Sequence, residues 1–575
     1  MAKAQQTKAN QKAQSAPKPV VEKKYSIWLS LLIVFIVPVV LYFQTTSFGL
    51  THFDDDGIIT NNMSFLSNMK NIPQAFANDA YVGKTSEFYR PLQTMTYMLD
   101  VHFSNTTDTW MFHLTNVLLF GLLACLLFLF LMRFSIPSSL ALASTVLYCA
   151  NPLFTSTVAW IPARGDLLLT VFSLLTFILF IDYLKTRKII FLFLHWISFT
   201  IALYCKETAA FLPFLMLLYF LLFTKNKLFE KSNFITVILY AVSGFLWFWM
   251  RSKAIGDVSD KPDLFQVGFL SVVNSLRIMP EAVTSFFMPL GIAVIPGFST
   301  IRLIAGFVLV AIMAYFIFKN RSHLLKEQLF CILWFLLLLV PTMFFRHLYI
   351  DFLCHRFILP FIGIILLILF LLPKEWIQHK TNFLPKIMLI IAVVFCFLTV
   401  KNLHSYASPS AFYDAAIAQN PNSSFSYNNR GTLKFMDKDY QGALDDFTKA
   451  ASVNNTIAET YLNMALSQSN LNDFKDAIPN YDKYIQFRPN KAETYVNKGM
   501  ALGSMGNFDA SITCFTKAIS LDSKLWGAYG DRAIAKFQIK DYKGAIVDCD
   551  KVLQLNPNEP RATEIKAKSQ ELIQK

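Results

Sequence analysis

Residues 52–62 read HFDDDGIITNN and begin about eight positions after a long apolar stretch ends. Three consecutive carboxylates beside a bilayer repel anionic headgroups, so they are either a solvated turn or a chemical centre. Other ionisable residues recur at the ends of apolar runs. They are Arg90; Arg164 and Asp166 in PARGDLLL; Lys206 and Glu207 in YCKETAAF; and Arg346, His347, His355 and Arg356 in FFRHLYIDFLCHRF. Ionisable groups at membrane depth are costly and default to functional hypotheses. Carboxylates and cations that converge beside lipid suit the transfer of a sugar from a polyprenyl phosphate. That chemistry holds an anionic phosphate at the interface, which calls for Arg, Lys or a divalent metal. It also removes a proton from an acceptor hydroxyl, which calls for a placed carboxylate. Cations aimed at the leaving phosphate then stabilise charge as it develops.

On this reading the acidic loop supplies the base, Asp54 or Asp55, with Asp56 a secondary candidate. Arg90, Arg164, Lys206 and Arg356 supply the phosphate site, with Glu207, Arg346 and His355 as secondary candidates. Each residue also has a plainer reading. Charge runs are usually solvated faces. Arg164 and Lys206 suit snorkelling anchors at helix ends. Asp166 suits the N-cap of the next helix, and Glu207 suits a local pair with Lys206. His113 suits an interfacial packing role. The eight cysteines (125, 149, 205, 331, 354, 396, 514, 549) are scattered, with no CxxC and no zinc spacing, so no disulfide framework or zinc site is implied. No cofactor is indicated beyond a possible divalent metal.

The elements that must position these residues are membrane helices. The chain is 54% hydrophobic with 56 Phe and only 16% charged, against about 25% charged for a soluble protein. A formal charge of +14 first suggests nucleic acid, but the lysines cluster between apolar runs, as membrane topology requires. Residues 1–24 read as a disordered basic tail and 25–44 as a signal-anchor helix. Further stretches at 111–133, 137–150, 167–184, 189–205, 207–223, 233–250, 303–318, 328–345, 356–372 and 384–402 predict eleven crossings in all. The stretch 267–290, with Arg277, Pro280, Glu281 and Pro289, reads as interfacial or re-entrant. With the tail inside, the basic loops KTRK, KNKLFEK, KNRSHLLKE and PKEWIQHK also fall inside. The acidic loop and the C-terminus then share the outer face. Within the outer loop 45–110, Leu92, Met95, Leu99 and Phe103 predict an amphipathic surface helix, and 64–76 is a second candidate.

From about 424 a 34-residue period appears. Tyr427, Tyr461, Tyr495 and Tyr529 mark it, as do Tyr440, Phe474, Phe508 and Tyr542, with Gly431, Ala465, Gly499 and Ala533 at the small-residue position. This is the tetratricopeptide (TPR) pattern, four repeats over 424–559, after a linker and half repeat at 404–423 and before a capping helix at 560–575. Asn429, Asn463 and Asn497 recur at groove-like positions, suited to hydrogen-bonding a peptide backbone or to surface solubility.

The ordered set FYRPLQTMTY, HLTN, NPLFTSTVAWIPARGDLL, KETAAFLP and HRFILPFIG, followed by the repeats, resembles the transmembrane-and-TPR O-mannosyltransferases and their bacterial relatives in the GT-C superfamily. The resemblance covers nearly the whole chain after the tail. It implies an all-α polytopic GT-C domain over 25–403, paired catalytic acids at Asp54 and Asp55, a further functional acid at Asp166, and inversion at the anomeric carbon. Phe53 stands where relatives often carry Trp or His, and His355 replaces the usual acid before Arg356. The implied partners are a polyprenyl-phosphate sugar donor, membrane lipid and a protein acceptor held by the repeats, with no nucleic acid. The implied place is a bacterial inner membrane with periplasmic repeats, or the endoplasmic reticulum with lumenal repeats. The alternatives are a GT-C enzyme acting on glycolipid or wall polysaccharide, and a non-catalytic membrane scaffold presenting the repeats.

Overall fold

A computed structural model describes residues 26–83, 86, 88–104, 108–224, 231–255, 276–319, 321–344, 353–373 and 383–575. Regular structure among them is helical throughout. The chain divides into two compact units, one formed mainly by residues up to 408 and the other mainly by 409–575.

In the first unit the long helices are α1 (Ile27–Tyr42), α2 (Pro91–Ser104), α3 (Trp110–Arg133), α4 (Ser138–Cys149), α5 (Arg164–Thr186), α6 (Ile189–Cys205), α7 (Leu212–Phe223), α8 (Lys231–Ala254), α9 (Ile278–Phe287), α10 (Thr300–Lys319), α11 (Arg321–Phe344), α12 (Phe361–Leu371) and α13 (Phe383–Leu403). Every apolar stretch read as a crossing is helical. Among the described residues six helices are long and apolar enough to span a membrane, and four shorter apolar ones accompany them. Their outward faces are apolar: Trp28 is 80% exposed, Ile301 81% and Phe397 73%. Side chains of that kind on a helix surface face lipid, and the chain is a multi-pass membrane protein.

The stretch 267–290 is described from residue 276, and its helix α9 is buried along most of its length. It lies so close to α10 that a Cβ on Gly306 would run into the Pro280 carbonyl oxygen. Glycine is required there by contact alone.

The acidic loop is folded. Short turns at Asp55–Ile58, Met63–Leu66, Met69–Asn71 and Ile72–Ala75 replace the single helix expected over 64–76. Asn68 interrupts that stretch by accepting a hydrogen bond from Lys70 N, and Pro73 begins the last turn. Ile58, Ile59, Leu66 and Ala75 bury against Tyr97, Met98 and Val101 of α2 and Phe112 of α3, which fixes the loop on the helices beneath it. Helix α2 forms where the spacing predicts, and its polar side faces the protein. Gln93, Tyr97 and Asp100 are buried, while Phe103 is 68% exposed. Of the apolar stripe, Leu92, Met95 and Leu99 are half-buried and Phe103 is exposed.

The second unit is a helical solenoid of four hairpins, each with a first helix A and a second helix B. The A helices are Ser424–Met436, Ala458–Asn470, Ala492–Ser504 and Trp526–Gln538, and the B helices are Tyr440–Val453, Phe474–Phe487, Phe508–Leu521 and Tyr542–Leu555. Helix Pro409–Gln419 precedes them and Pro560–Gln574 follows. Each B helix starts with the same cap: Asp439, Asp473, Asn507 and Asp541 accept from the backbone N–H three residues on. The small-residue position is explained by Gly431 and Gly499, where a Cβ would lie 2.7 Å from the rings of Phe447 and Phe515.

Candidate active site

The site lies where the acidic loop, the start of α2, the start of α5 and the 205–211 and 353–360 segments meet. Asp54 precedes the turn Asp55–Ile58, and its backbone carbonyl accepts from Ile58 N at 3.1 Å. His52, two residues earlier, is held at φ 52°, a left-handed conformation that is uncommon for a side-chain-bearing residue and recurs at functional sites. The three acids separate by environment. Asp55 is fully buried, and its Oδ2 accepts from the backbone N–H of Thr51 at 3.0 Å and from the Thr51 hydroxyl. Asp56 pairs with His52, Oδ1 to Nδ1 at 2.7 Å, at the exposed side of the turn. Asp54 faces the cations. Burial raises its carboxyl from 3.8 to about 6, the neighbouring Asp55 charge adds to this, and Arg90 and Arg356 partly offset it.

Arg90 immediately precedes α2. It grips Glu207 with two hydrogen bonds, Nη2 to Oε1 at 2.8 Å and Nε to Oε2 at 3.3 Å, and lies over the Phe88 ring. Glu207 therefore pairs with Arg90, 117 positions away in sequence, in place of the expected bond to its neighbour Lys206. Lys206 instead donates from Nζ to Asp166 Oδ2 at 2.6 Å, with both side chains buried. His355 Nε2 stands 3.7 Å from the same oxygen. Asp166 lies in the first turn of α5, whose N-cap is Ala163, so it is not the cap residue that the sequence suggested. Arg356 closes the group, with its Nε buried and without a hydrogen-bond partner. Asp166, Lys206, Glu207, Thr208 and Arg356 share a small pocket with Leu338, Leu359 and Pro360. Its cavity of about 30 Å³ has room for about two waters.

Aromatic rings join the acidic loop to this pocket. Phe53 stacks on Trp160 with centroids 5.2 Å apart and planes 18° from parallel, and Trp160 lies 5.0 Å from His355. Phe53 and His355 thus flank one tryptophan.

Arg164 does not join the group. It is fully buried and clamps three helices: Nε donates to Asn116 Oδ1 at 2.7 Å, Nη2 to the Phe112 carbonyl at 2.7 Å, and Nη1 meets Asp100 Oδ2 at 2.5 Å and Thr96 Oγ1 at 3.3 Å. The Tyr97 ring covers it at 4.5 Å. With its donors so engaged, the guanidinium is neither a phosphate ligand nor a snorkelling anchor. It locks α2 and α3 to the turn that carries Asp166. Beside it, a Cβ on Gly165 would lie 2.6 Å from Gln93 Oε1, whose amide donates to the Pro162 carbonyl at 3.0 Å.

The clamp partners Asp100 and Asn116 were not singled out from sequence, although the HLTN motif contains the latter. His113, nearby, is buried in α3 as a packing residue, 6.3 Å from the Phe48 ring. Arg346 and His347 lie outside the described residues. All eight cysteines are unpaired thiols. Among the described residues no three His, Cys, Asp or Glu side chains gather closely enough to hold a metal ion. In the repeats, Asn429, Asn463 and Asn497 occupy one register on successive A helices, each partly buried. Asn463 reaches Asn428 Oδ1 at 3.5 Å, and the Thr460 hydroxyl reaches it at 3.1 Å.

Comparison with known proteins bears out the resemblance. Residues 101–249 match the dolichyl-phosphate-mannose-protein mannosyltransferase family, and residues 458–491 and 492–525 match tetratricopeptide repeats. The chain is 27% identical over 169 residues to the protein O-mannosyl-transferase TMTC4 of Mus musculus, a match covering 26% of this chain and 22% of that protein. The aligned part is therefore about a fifth of that relative's length. Among solved structures, the repeats are similar to YrrB, a TPR protein with an unusual peptide-binding site (21% identity, 31% of this chain, 91% of that one, TM-score 0.27). They are also similar to MamA from Desulfovibrio magneticus RS-1 (18% identity, 26% and 86%, TM-score 0.26).

Proposed function

We propose that the chain is a protein O-glycosyltransferase that takes a monosaccharide, mannose by preference, from a polyprenyl phosphate and places it on Ser or Thr hydroxyls. The observation that carries this reading is Asp54: a carboxyl beside Arg90 and Arg356, its pKa raised to about 6. A base with that value is ionised at neutral pH yet basic enough to accept a proton in the transition state. In the proposed step Asp54 takes the acceptor hydroxyl proton as the oxygen bonds to C1 of the sugar. The C1–O bond to phosphate breaks with inversion, and its electron pair leaves on the polyprenyl phosphate. Arg356 and Lys206 stabilise the phosphate, and the Glu207 grip holds Arg90 at the pocket edge. Asp55, bonded to Thr51, orients the loop. The 30 Å³ pocket is too small for a hexosyl phosphate, so it must widen when the donor binds. The repeats recruit the acceptor through a groove that includes Asn429, Asn463 and Asn497.

The test uses purified protein in detergent, polyprenyl-phosphate mannose and a panel of peptides from secreted proteins, with transfer read by mass spectrometry. A hexose on a Ser or Thr peptide, lost in Asp54→Asn with the fold intact, is the expected result. Transfer only to lipid or polysaccharide would shift the acceptor, and identical behaviour of wild type and variant would leave a scaffold.

A further inference from the structure

Residues 79–83 form a tight turn ahead of α2, and it carries a tyrosine to which the transfer step assigns nothing. Ala80 N donates to the Phe88 carbonyl at 2.7 Å, and Val82 N to the Asp79 carbonyl at 3.1 Å. The Asp79 carboxylate is buried and accepts from the backbone N–H of Gly83 at 3.0 Å and from that of Ser86. Val82, next to Tyr81, is held at φ 60°. For a β-branched residue that is a true outlier, and strain of this kind persists where the surroundings hold a functional geometry.

Two sides of the site fix where Tyr81 lies. Its ring packs on Gly57, where an added Cβ would run into Cδ1 and Cε1. Gly57 belongs to the turn Asp55–Ile58, which Asp54 precedes. On the other side Phe88, bonded to Ala80, lines the charged pocket and carries the Arg90 guanidinium 4.5 Å from its ring centre. The phenol is thus strung between the turn of the base and the wall of the phosphate pocket. The charges agree with that placement: burial raises its pKa, Asp54 adds to the rise and Arg90 offsets it. The half-buried ring also packs on the core of the acidic loop. The fold uses this ring and leaves the hydroxyl idle, with no hydrogen-bond partner among the described residues. A phenylalanine would pack as well.

In the transfer step the acceptor oxygen, C1 and the leaving oxygen lie in one line from Asp54 to the cations. A side chain that reaches from base to pocket borders the middle of that line, which the sugar occupies. A phenol that stays neutral neither takes the acceptor proton nor balances the phosphate charge. What it offers is a donor and an acceptor for a neutral hydroxyl.

We propose that Tyr81 is a specificity-determining residue, whose hydroxyl hydrogen-bonds a hydroxyl of the sugar on the donor. The inference rests on the donor chemistry proposed above, and its first test needs binding alone. Full-length protein in phosphatidylcholine nanodiscs is titrated with mannosyl polyprenyl phosphate and with polyprenyl phosphate that carries no sugar, for wild type and Tyr81→Phe. The substitution should weaken the glycosylated ligand about tenfold, the worth of one hydrogen bond. It should leave the affinity for bare polyprenyl phosphate and the thermal midpoint unchanged. In a series of monodeoxy mannosyl ligands, one should bind both proteins equally, because it lacks the contacted hydroxyl. Equal weakening of both ligands would make Tyr81 a phosphate contact, and no weakening would make it packing alone; either overturns the proposal. So would a penalty of the same size with every monodeoxy ligand. Loss of sugar-dependent affinity in a protein that transfers no sugar would keep the role of Tyr81 and reject the enzyme reading. Transfer that Tyr81→Phe leaves within twofold, for mannosyl and deoxy donors alike, would keep the enzyme and reject that role.

Discussion

Replacing Asp54 by Asn should remove activity and stabilise the protein together. The side chain keeps its shape, so the change isolates charge and basicity. General-base catalysis contributes about 10²–10⁴-fold, and kcat should fall by that much while KM for the donor changes little. The stability sign follows from the raised carboxyl. A group held near 6 in the fold and 3.8 in the unfolded chain favours folding fully below 3.8, and the advantage is lost as pH rises through 6. At neutral pH the charged form therefore opposes the fold by at most about 3 kcal/mol. Solvent reaching the partly exposed side chain reduces this, and a gain of about 1–2 kcal/mol in the Asn variant is expected at pH 7.5, vanishing toward pH 4. For the wild type, kcat/KM should rise with pH around a midpoint near 6, dropping about tenfold from pH 7 to pH 5. The assay pairs donor-to-peptide transfer with thermal unfolding at both pH values. An Asn variant that keeps transfer within threefold, or is destabilised at pH 7.5, would refute the assignment of Asp54 as a strained, ionised base.

Arg164→Met should cost about 3–5 kcal/mol by stranding the buried Asp100 carboxylate. Adding Asp100→Leu should recover much of it, and thermal unfolding of the single and double variants decides. Arg356→Ala should raise donor KM or lower kcat by about 10²-fold and move the midpoint of the pH–rate profile upward, because the guanidinium partly offsets the burial of Asp54; unchanged kinetics with an unmoved profile would remove it from the site. Gly306→Ala should cost about 1–3 kcal/mol by overpacking against Pro280, without altering donor KM. Asn429→Ala, Asn463→Ala and Asn497→Ala combined should raise KM for long peptide acceptors about tenfold and leave a tripeptide acceptor unaffected, measured by steady-state transfer.

What the sequence revealed, and what it hid, follows from the reach of each interaction. The repeats were readable because every position recurs 34 residues on and contacts are local. The B-helix caps at Asp439, Asp473, Asn507 and Asp541 bond only three residues along. The apolar helices were readable from composition, since lipid imposes one rule on all of them. The ion pairs were not. Arg90 meets Glu207 across 117 positions and Arg164 meets Asn116 across 48, and no periodicity announces such partners. Arg164 and Arg356 present the same residue type near a helix start. Only the packing shows that one is saturated and the other has a donor to spare. The polar face of α2 was hidden for a related reason: its apolar stripe reads alike whether it faces a core or a bilayer.

The pairing of Asp166 with Lys206 also orders events during synthesis. Arg164 emerges from the ribosome after Asp100 and Asn116, so its partners are already made when α5 meets the membrane. Asp166 has no such fortune, for its lysine lies 40 residues later. At ribosomal speeds of about 5–20 residues per second the carboxylate waits roughly 2–8 s. During that interval an acid in the membrane costs about 2.5–3.5 kcal/mol, which favours keeping the first turn of α5 at the interface. A chain halted short of residue 206 should therefore seat α5 less deeply than one released beyond it. The hairpin of α5 and α6, more than either helix alone, is the unit that the insertion machinery must deliver.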